Sequence, residues 1–210
     1  MQRYFVFDFD GVITDGIPLQ DEAYVLLFSK YGLDVSVDYL HTHIGMTSRQ
    51  VIEKIAIENS IDESLDSLVQ AQKALVKDLY ATKAEPAPGL RAFVTKLQES
   101  NFTIAVASST QSDILKLVLS KFGILDAFVS VVGGEMISKG KPDPEMIQKS
   151  LDNMGASPAN AVAIDDARSG ILAANTLGMY SIGYMHYAKT VIPEANVLVN
   201  DFAELDLSKL

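Results

Sequence analysis

Two aspartates stand two positions apart near the start of the chain, within the run FDFDGVITD at residues 7–15. They follow the apolar segment 4–7, which is typical of a short buried strand. Side chains two residues apart on a strand point to the same side, and Gly11 permits a turn at the strand end. Such close charges are tolerated when a cation neutralises them or when one holds a proton. Asp8 and Asp10 therefore indicate a metal-assisted nucleophile and an acid/base group, with ordinary solvated acids as the alternative.

Three small hydroxyl residues, Ser108-Ser109-Thr110, follow a second apolar segment at 102–107 and precede a predicted helix. Free backbone N–H groups at a helix N-terminus can bind a phosphate together with neighbouring hydroxyls. Beside a carboxylate pair, Ser108 is the candidate phosphate ligand. The alternative is that Ser109 or Thr110 simply caps the helix.

Lys141 lies in a stiff segment, KGKPDP at residues 139–144. Its prolines restrict the backbone, and Asp143 followed by Pro144 fits the N-cap and the first position of a helix. Such a segment fixes where the ammonium of Lys141 emerges, so that it can neutralise phosphate and carboxylate charge. A solvated surface lysine is the alternative.

A third apolar segment, at 161–164, ends in the adjacent carboxylates Asp165 and Asp166. A hard divalent cation such as Mg²⁺ prefers oxygen ligands and keeps several of its waters. We expect Asp8 and Asp166, at neighbouring strand ends, to supply such ligands. The alternative is that Asp166 caps the helix that follows.

The residues named above lie between predicted strands and helices, which alternate along most of the chain. The sequence predicts helices at 89–99, 111–121, 144–154 and 168–177, and strands at 102–107, 128–132, 161–164, 180–182 and 197–199. This alternation predicts an α/β fold with a doubly wound parallel sheet and helices on both faces. Ligands bind such sheets outside the carboxyl ends of the strands, where the polar residues stand.

Residues 20–83 interrupt this alternation with an almost purely helical block. Thr47 and Ser60 each begin a capping box, so both predict helix starts. The segment EPAPG at 85–89 ends the block. We therefore expect an inserted α-helical domain directly after the first strand. The predicted boundaries are 1–15 and 85–210 for the α/β core domain and 16–84 for the helical domain.

Composition limits the kind of protein. The 210 residues are 48% hydrophobic and 21% charged, as in a folded domain, and the formal net charge is −10. An acidic protein attracts neither nucleic acid nor an anionic membrane, so a phosphate site must be locally positive. The absence of cysteine excludes disulfides and zinc–thiolate sites. We expect no membrane span, no signal peptide and a cytoplasmic monomer.

Four motifs stand in order along the chain: FDFDGVITD, VASST, KGKPDPE and AIDDARSGILAA. Together they resemble the haloacid dehalogenase (HAD) superfamily, in the branch of β-phosphoglucomutases and small phosphatases. The resemblance covers the whole chain. It implies a Rossmann-like HAD core in which the helical insertion is a cap domain.

The resemblance also implies roles by position. Asp8 would be the nucleophile that forms an aspartyl-phosphate, and Asp10 would protonate the leaving oxygen and then activate water. Ser108 would hold the transferred phosphoryl group, with Ser109 as a further substrate contact, and Lys141 would balance the phosphoryl charge.

The implied cofactor is Mg²⁺, bound by the acidic residues. Its ligands would be Asp8, the backbone carbonyl of Asp10, and Asp166. Asp165 would bind the metal directly or lie just behind it.

In the helical block, the segment HIGMTSR at residues 43–49 resembles the cap loop that faces the active site in this family. Arg49 is the candidate for binding an anionic or polyol leaving group, with an exposed arginine in a first helical turn as the alternative. Closure of the cap would exclude water, with hinges near 14–18 and 85–89.

We expect a Mg²⁺-dependent phosphatase whose substrate is a small phosphorylated metabolite of the sugar-phosphate kind. The mutases of this branch carry a histidine at the cap hinge, whereas no histidine lies between Asp15 and Leu40. Phosphoryl transfer between sugar hydroxyls, as in a β-phosphoglucomutase, is therefore the alternative. A phospho-signalling or non-catalytic protein is a remote one, because receiver domains are shorter and lack a helical insertion after the first strand.

Overall fold

The computed structural model describes residues 3–43, 46–188 and 190–209. Contacts between Cα atoms divide the chain into two compact units, one of Met1–Gly16 with Glu85–Leu210 and one of Ile17–Ala84. The strands of the described residues belong to the first unit, and the second unit is helical. In the described parts of the chain, no helix has the length and apolarity to cross a bilayer.

A six-stranded parallel sheet forms the centre of the first unit. Its strands are β1 (Tyr4–Phe7), β2 (Thr103–Ala107), β3 (Phe128–Val132), β4 (Ala161–Asp165), β5 (Tyr180–Tyr184) and β6 (Val197–Val199). The order is β3-β2-β1-β4-β5-β6, so the direction of winding reverses between β1 and β4. Ligands of such sheets bind at this reversal. The predicted doubly wound parallel sheet is confirmed.

Both faces of the sheet are covered. The helices of this unit are α5 (Leu90–Glu99), α6 (Ser112–Lys121), α7 (Glu145–Met154) and α8 (Arg168–Thr176). Val6 of β1 belongs to a buried cluster with Met146 of α7 and Ala173 of α8. Because side chains alternate along a strand, Phe5 and Phe7 point to the other face. There their rings lie 5.6 and 6.1 Å from the ring of Phe93 of α5.

The second unit consists of α1 (Ile17–Ser29), α2 (Val37–His41), α3 (Ser48–Glu58) and α4 (Leu65–Lys83). It has an apolar core of its own, which includes Phe28, Ile52, Ile55 and Leu68. Spacings of three and four residues place Ile52 with Ile55 on one face of α3, which is the periodicity of an amphipathic helix.

One of the two predicted helix starts in this unit is confirmed and the other is wrong. Thr47 forms the predicted capping box, because its hydroxyl accepts from the N–H of Gln50 while the Gln50 side chain accepts from the N–H of Thr47. Ser60, by contrast, has a left-handed backbone with φ of 51°, which ends α3 and cannot begin a helix. The start of α4 therefore moves to Ser64, whose hydroxyl accepts from the N–H of Ser67.

The start of α7 also differs from the prediction by one residue. Pro144, expected at the first helical position, is the residue that precedes the helix. Asp143 still satisfies the helix end, since its Oδ1 accepts from the N–H of Glu145 at 3.0 Å.

Candidate active site

Asp8 follows the central strand β1 at its carboxyl end. The register pairs Phe7 with Ile164 of β4, and the N–H of Asp8 donates to the Ile164 carbonyl at 2.9 Å. The end of β4, where Asp165 follows Ile164, therefore lies beside Asp8. Only 12% of the Asp8 side chain is exposed, so this carboxylate has little contact with water.

Gly11 allows the sharp turn after Asp8. It has a φ of 82°, in the left-handed region that glycine adopts without strain. Its N–H donates to the carbonyl of Thr14 at 2.8 Å, which closes the turn. A Cβ at this position would overlap with the carboxylate of Asp166. The backbone conformation and the close approach of Asp166 both require glycine here.

The ammonium of Lys141 joins two carboxylates. Its Nζ donates to Oδ1 of Asp8 at 2.6 Å, to Oδ2 of Asp165 at 2.7 Å and to the carbonyl of Ala107 at 3.2 Å. Burial favours the neutral amine, but the charges of Asp165 and Asp8 outweigh it and raise the pKa of Lys141. Because an ammonium has three hydrogens to donate, these contacts fix it as a cation in one place.

Asp165 accepts hydrogen bonds on both of its oxygens. Oδ2 accepts from Lys141, and Oδ1 accepts from the N–H of Ala167 at 2.9 Å. The residue is buried, and a Cβ at Gly170 of α8 would overlap with its carboxylate. Asp165 is therefore held from two sides and can in turn hold Lys141.

Asp8, Asp165 and Asp166 form a carboxylate cluster. One oxygen of each lies within 4.8 Å of the others. A hard divalent cation prefers such oxygens, and its charge would relieve their mutual repulsion. The donor set therefore suits a divalent metal ion. Capping of α8, the alternative considered for Asp166, is not observed, because Ala167 precedes the helix and makes no side-chain cap bond.

Electrostatics in the cluster disfavour three ionised carboxylates without a cation. Burial, followed by the charge of Asp165, raises the pKa of Asp8 well above its ordinary value, although Lys141 opposes the shift. Burial, again followed by the charge of Asp165, raises the pKa of Asp166 to about 7. Raised carboxyl pKa values in one small space are typical of functional sites.

The hydroxyl residues 108–110 form the turn between β2 and α6. Ser108 is buried, its N–H donates to the carbonyl of Val132 at 3.1 Å, and its hydroxyl accepts from the N–H of Thr110 at 3.1 Å. A hydroxyl that accepts one bond still has its own hydrogen to donate. Ser109 is exposed, and its carbonyl lies so close to Gly134 that a Cβ there would overlap with it.

Thr110 makes a contact that sequence reasoning missed. Its hydroxyl donates to Oδ2 of Asp10 at 2.6 Å, across 100 positions of sequence. No local pattern could have shown this pairing. The alternative that Ser109 or Thr110 caps the N-terminus of α6 is not observed. The N-cap residue is Gln111, and its side chain makes no cap hydrogen bond.

Arg49 belongs to the helical unit, in the first turn of α3. Its guanidinium donates to Oδ1 of Asp66 at 2.7 Å, and the two side chains are 54% and 81% exposed. Exposed ion pairs contribute little free energy, so Arg49 can exchange Asp66 for another anion at small cost. Ile44 and Gly45 of the predicted cap loop lie outside the described residues.

Comparisons with known proteins find relatives that match most of the chain. Validoxylamine A 7'-phosphate phosphatase of Streptomyces hygroscopicus subsp. limoneus is 26% identical to the chain over 209 residues, with 98% of this chain and 96% of that protein covered. The β-phosphoglucomutase of Bacillus subtilis (strain 168) is 27% identical over 185 residues, with 85% of this chain and 81% of that protein covered.

A solved structure shares the fold along the whole chain. CbbY from Rhodobacter sphaeroides in complex with phosphate matches with a TM-score of 0.86 and 21% identity, with 99% of this chain and 98% of that chain covered. A family model described as haloacid dehalogenase-like hydrolase matches residues 5–184. The chain therefore belongs to the haloacid dehalogenase-like hydrolase family.

Proposed function

We propose that this protein is a Mg²⁺-dependent phosphatase that hydrolyses a small phosphorylated metabolite through an aspartyl-phosphate at Asp8. The observation that carries the proposal is the 2.6 Å contact between Lys141 and Asp8, within a cluster of carboxylates. A nucleophilic carboxylate, a fixed cation and a metal-binding donor set are the parts that phosphoryl transfer to an aspartate requires.

Asp8 performs the first step. An oxygen of its carboxylate attacks phosphorus, and the bond between phosphorus and the substrate oxygen breaks. The leaving oxygen takes a proton from Asp10, so that an alcohol departs. Lys141 favours the ionised form of Asp8 for this attack, because its charge opposes the effect of burial on the Asp8 pKa.

Asp10 performs the second step in the opposite direction. It takes a proton from a water molecule, whose oxygen attacks the phosphorus of the aspartyl-phosphate. The bond to Asp8 breaks, inorganic phosphate leaves, and Asp10 is protonated for the next turnover. The covalent intermediate divides one difficult hydrolysis into two easier steps.

The phosphoryl group is held by Lys141 and by the hydroxyls of Ser108 and Ser109. Asp8, the backbone carbonyl of Asp10, and Asp166 would hold Mg²⁺. When bound, Mg²⁺ supplies charge neutralisation at the phosphoryl oxygens. We place Asp165 behind the metal, because its two oxygens already accept from Lys141 and Ala167.

We propose a sugar phosphate or a similar phosphomonoester as the substrate, with the helical unit as a cap. The relative named validoxylamine A 7'-phosphate phosphatase acts, by its name, on a phosphorylated small molecule. In the cap, Arg49 would contact the leaving group, because its weak exposed pair with Asp66 can be exchanged. A cytoplasmic monomer that binds no nucleic acid stays a prediction from the sequence.

Phosphoryl transfer between sugar hydroxyls is the second candidate, because one relative is a β-phosphoglucomutase. The mutases of this branch carry a histidine at the cap hinge, and residues 16–40 of this chain contain no histidine. Hydrolysis therefore remains the first proposal.

Phosphate release from a panel of phosphorylated sugars, polyols, glycolate and nucleotides, with Mg²⁺, tests the proposal. We expect turnover of at least one compound by the natural protein, none by Asp8→Asn, and full turnover by the control Asp62→Asn at an exposed position. Interconversion of glucose phosphates without net phosphate release would instead support the mutase. Release that persists in Asp8→Asn would exclude Asp8 as the nucleophile.

A further inference from the structure

We propose that Thr110 positions Asp10 for proton transfer. This inference rests on the proposed function, in which Asp10 exchanges protons with the leaving oxygen and with water. The hydroxyl of Thr110 donates to Oδ2 of Asp10 at 2.6 Å. A short bond to an acidic side chain is strong enough to select one orientation of the carboxyl group.

The geometry assigns different tasks to the two oxygens of Asp10. Oδ2 accepts from Thr110 whether the group is a carboxylate or a neutral acid, because the carbonyl oxygen of a neutral acid still accepts. The proton that Asp10 transfers is therefore carried by Oδ1. A threonine hydroxyl at this place fixes both the rotamer and the oxygen that exchanges the proton.

Thr110 is itself held firmly in the turn that contains Ser108. Its N–H donates to the Ser108 hydroxyl at 3.1 Å, and its carbonyl accepts from the N–H of Gly134 at 3.2 Å. These backbone contacts leave the Thr110 side chain directed at Asp10. The same turn thus fixes the candidate phosphate ligand and the orientation of the acid/base group.

A capping role does not explain this threonine. The N–H of Ser112, the first residue of α6, pairs instead with Glu135, whose two carboxylate oxygens each lie 3.2 Å from its nitrogen. Burial opposes ionisation of Glu135, but the bonds from Ser112 prevail and lower the Glu135 pKa. Glu135 therefore caps α6 as a carboxylate, and the Thr110 hydroxyl is available to Asp10.

The test compares Thr110→Val, which keeps the shape but removes the donor, with Thr110→Ser, which keeps the donor. An alkyl phosphate from the substrate panel needs protonation of its leaving oxygen, whereas 2,4-dinitrophenyl phosphate does not. We expect Thr110→Val to lower kcat/KM about 10- to 100-fold for the alkyl phosphate and less than about 3-fold for the dinitrophenyl ester. Thr110→Ser should restore most of the loss.

The matched control is Thr95→Val, at an exposed position of α5, which should change neither substrate. An equal fall for both esters, or no fall at all, would overturn the proposal. If the natural protein hydrolyses neither ester, the result contradicts the proposed phosphatase function and not the positioning role of Thr110. A crystal structure of Thr110→Val then decides, because positioning predicts a displaced Asp10 carboxyl and an unmoved carboxyl contradicts it.

Discussion

The ammonium of Lys141 lies 2.6 Å from Oδ1 of Asp8, although 133 positions of sequence separate the two residues. The same ammonium lies 2.7 Å from Asp165, so one cation is shared by two carboxylates that have little contact with water. Removal of that cation would leave both acids without a positive partner. The consequences should therefore appear in stability as well as in activity.

Lys141→Met should abolish most phosphatase activity, by about 100-fold or more, because the phosphoryl charge loses its cation. It should also lower the free energy of unfolding by about 3 kcal/mol at neutral pH, since an uncompensated buried charge remains. Thermal denaturation and phosphate release measure the two effects. Lys139→Met is the matched control, because the Lys139 side chain is 74% exposed. Equal behaviour of the two variants would contradict the shared-cation role.

The stabilisation of the protein by Mg²⁺ should depend on pH. Without metal, burial and the charge of Asp165 raise the pKa of Asp166 from 3.8 to about 7. Because the folded-state pKa of Asp166 exceeds the unfolded-state value, the folded protein binds more protons than the unfolded protein at pH values between the two. This group therefore lowers the free energy of unfolding as pH rises from about 4 to about 7. Mg²⁺ needs the ionised carboxylate, so it competes with that proton.

We therefore expect saturating Mg²⁺ to raise the Tm more at about pH 8 than at about pH 5.5. Asp166→Asn should lose most of the increase and its pH dependence, whereas Asp126→Asn, at an exposed position, should keep both. Differential scanning calorimetry with and without Mg²⁺ measures the shift. An increase of the same size at both pH values would show that Asp166 does not hold the metal.

Gly11→Ala should weaken the proposed metal site by more than its backbone strain alone would cause. The strain at a φ of 82° costs about 1 to 2 kcal/mol for a residue with a Cβ. The Cβ would in addition overlap with the carboxylate of Asp166. Gly123→Ala is the matched control, because Gly123 has a φ of 70° and no atom near its Cβ position.

Without Mg²⁺, the backbone strain should lower the free energy of unfolding by a similar amount in both alanine variants. Gly11→Ala loses somewhat more, because the Asp166 carboxylate must move away from the new Cβ. Only Gly11→Ala should bind Mg²⁺ weakly, which titration calorimetry measures. If both variants bind Mg²⁺ like the natural protein, the close approach of Gly11 to Asp166 has no part in metal binding.

Arg49→Met should distinguish substrates by their leaving groups. If Arg49 contacts an anionic or polyol leaving group, KM for the sugar phosphate rises about 10-fold and KM for p-nitrophenyl phosphate changes little. Steady-state kinetics on the two esters measure the difference. Arg91→Met, an exposed position of α5 in the other unit, is the control. A uniform effect on both esters would contradict a role at the leaving group.

Local patterns were sufficient to predict the elements and most of their ends. The strands at 128–132 and 197–199 were predicted with the observed bounds, because short apolar runs between turn signals identify buried strands. The hydroxyl and glutamine spacing at Thr47 gave the start of α3. The same kind of spacing failed at Ser60, because a left-handed backbone there ends the preceding helix.

The composition of the candidate site could be predicted only in part. The carboxyl ends of parallel strands meet at one edge of a sheet, so polar residues that follow apolar segments were expected to converge there. Asp8, Ser108 and Asp165 each follow such a segment, and their roles stay predictions. Particular partners could not be predicted, because the contact of Thr110 with Asp10 depends on tertiary folding. The same holds for the capping of α6 by Glu135, across 23 positions.

The most direct test of the proposed mechanism is to look for the phosphorylated enzyme. The Asp10→Asn variant, which keeps Asp8 but lacks the acid and base of the two steps, is mixed with Mg²⁺ and 2,4-dinitrophenyl phosphate, whose leaving oxygen needs no proton, and is quenched in acid. Mass spectrometry of its peptides should find one phosphoryl group on Asp8, and none after the same treatment of Asp8→Asn. Phosphate release without any phosphorylated peptide, or a phosphoryl group on another residue, would contradict a nucleophilic Asp8.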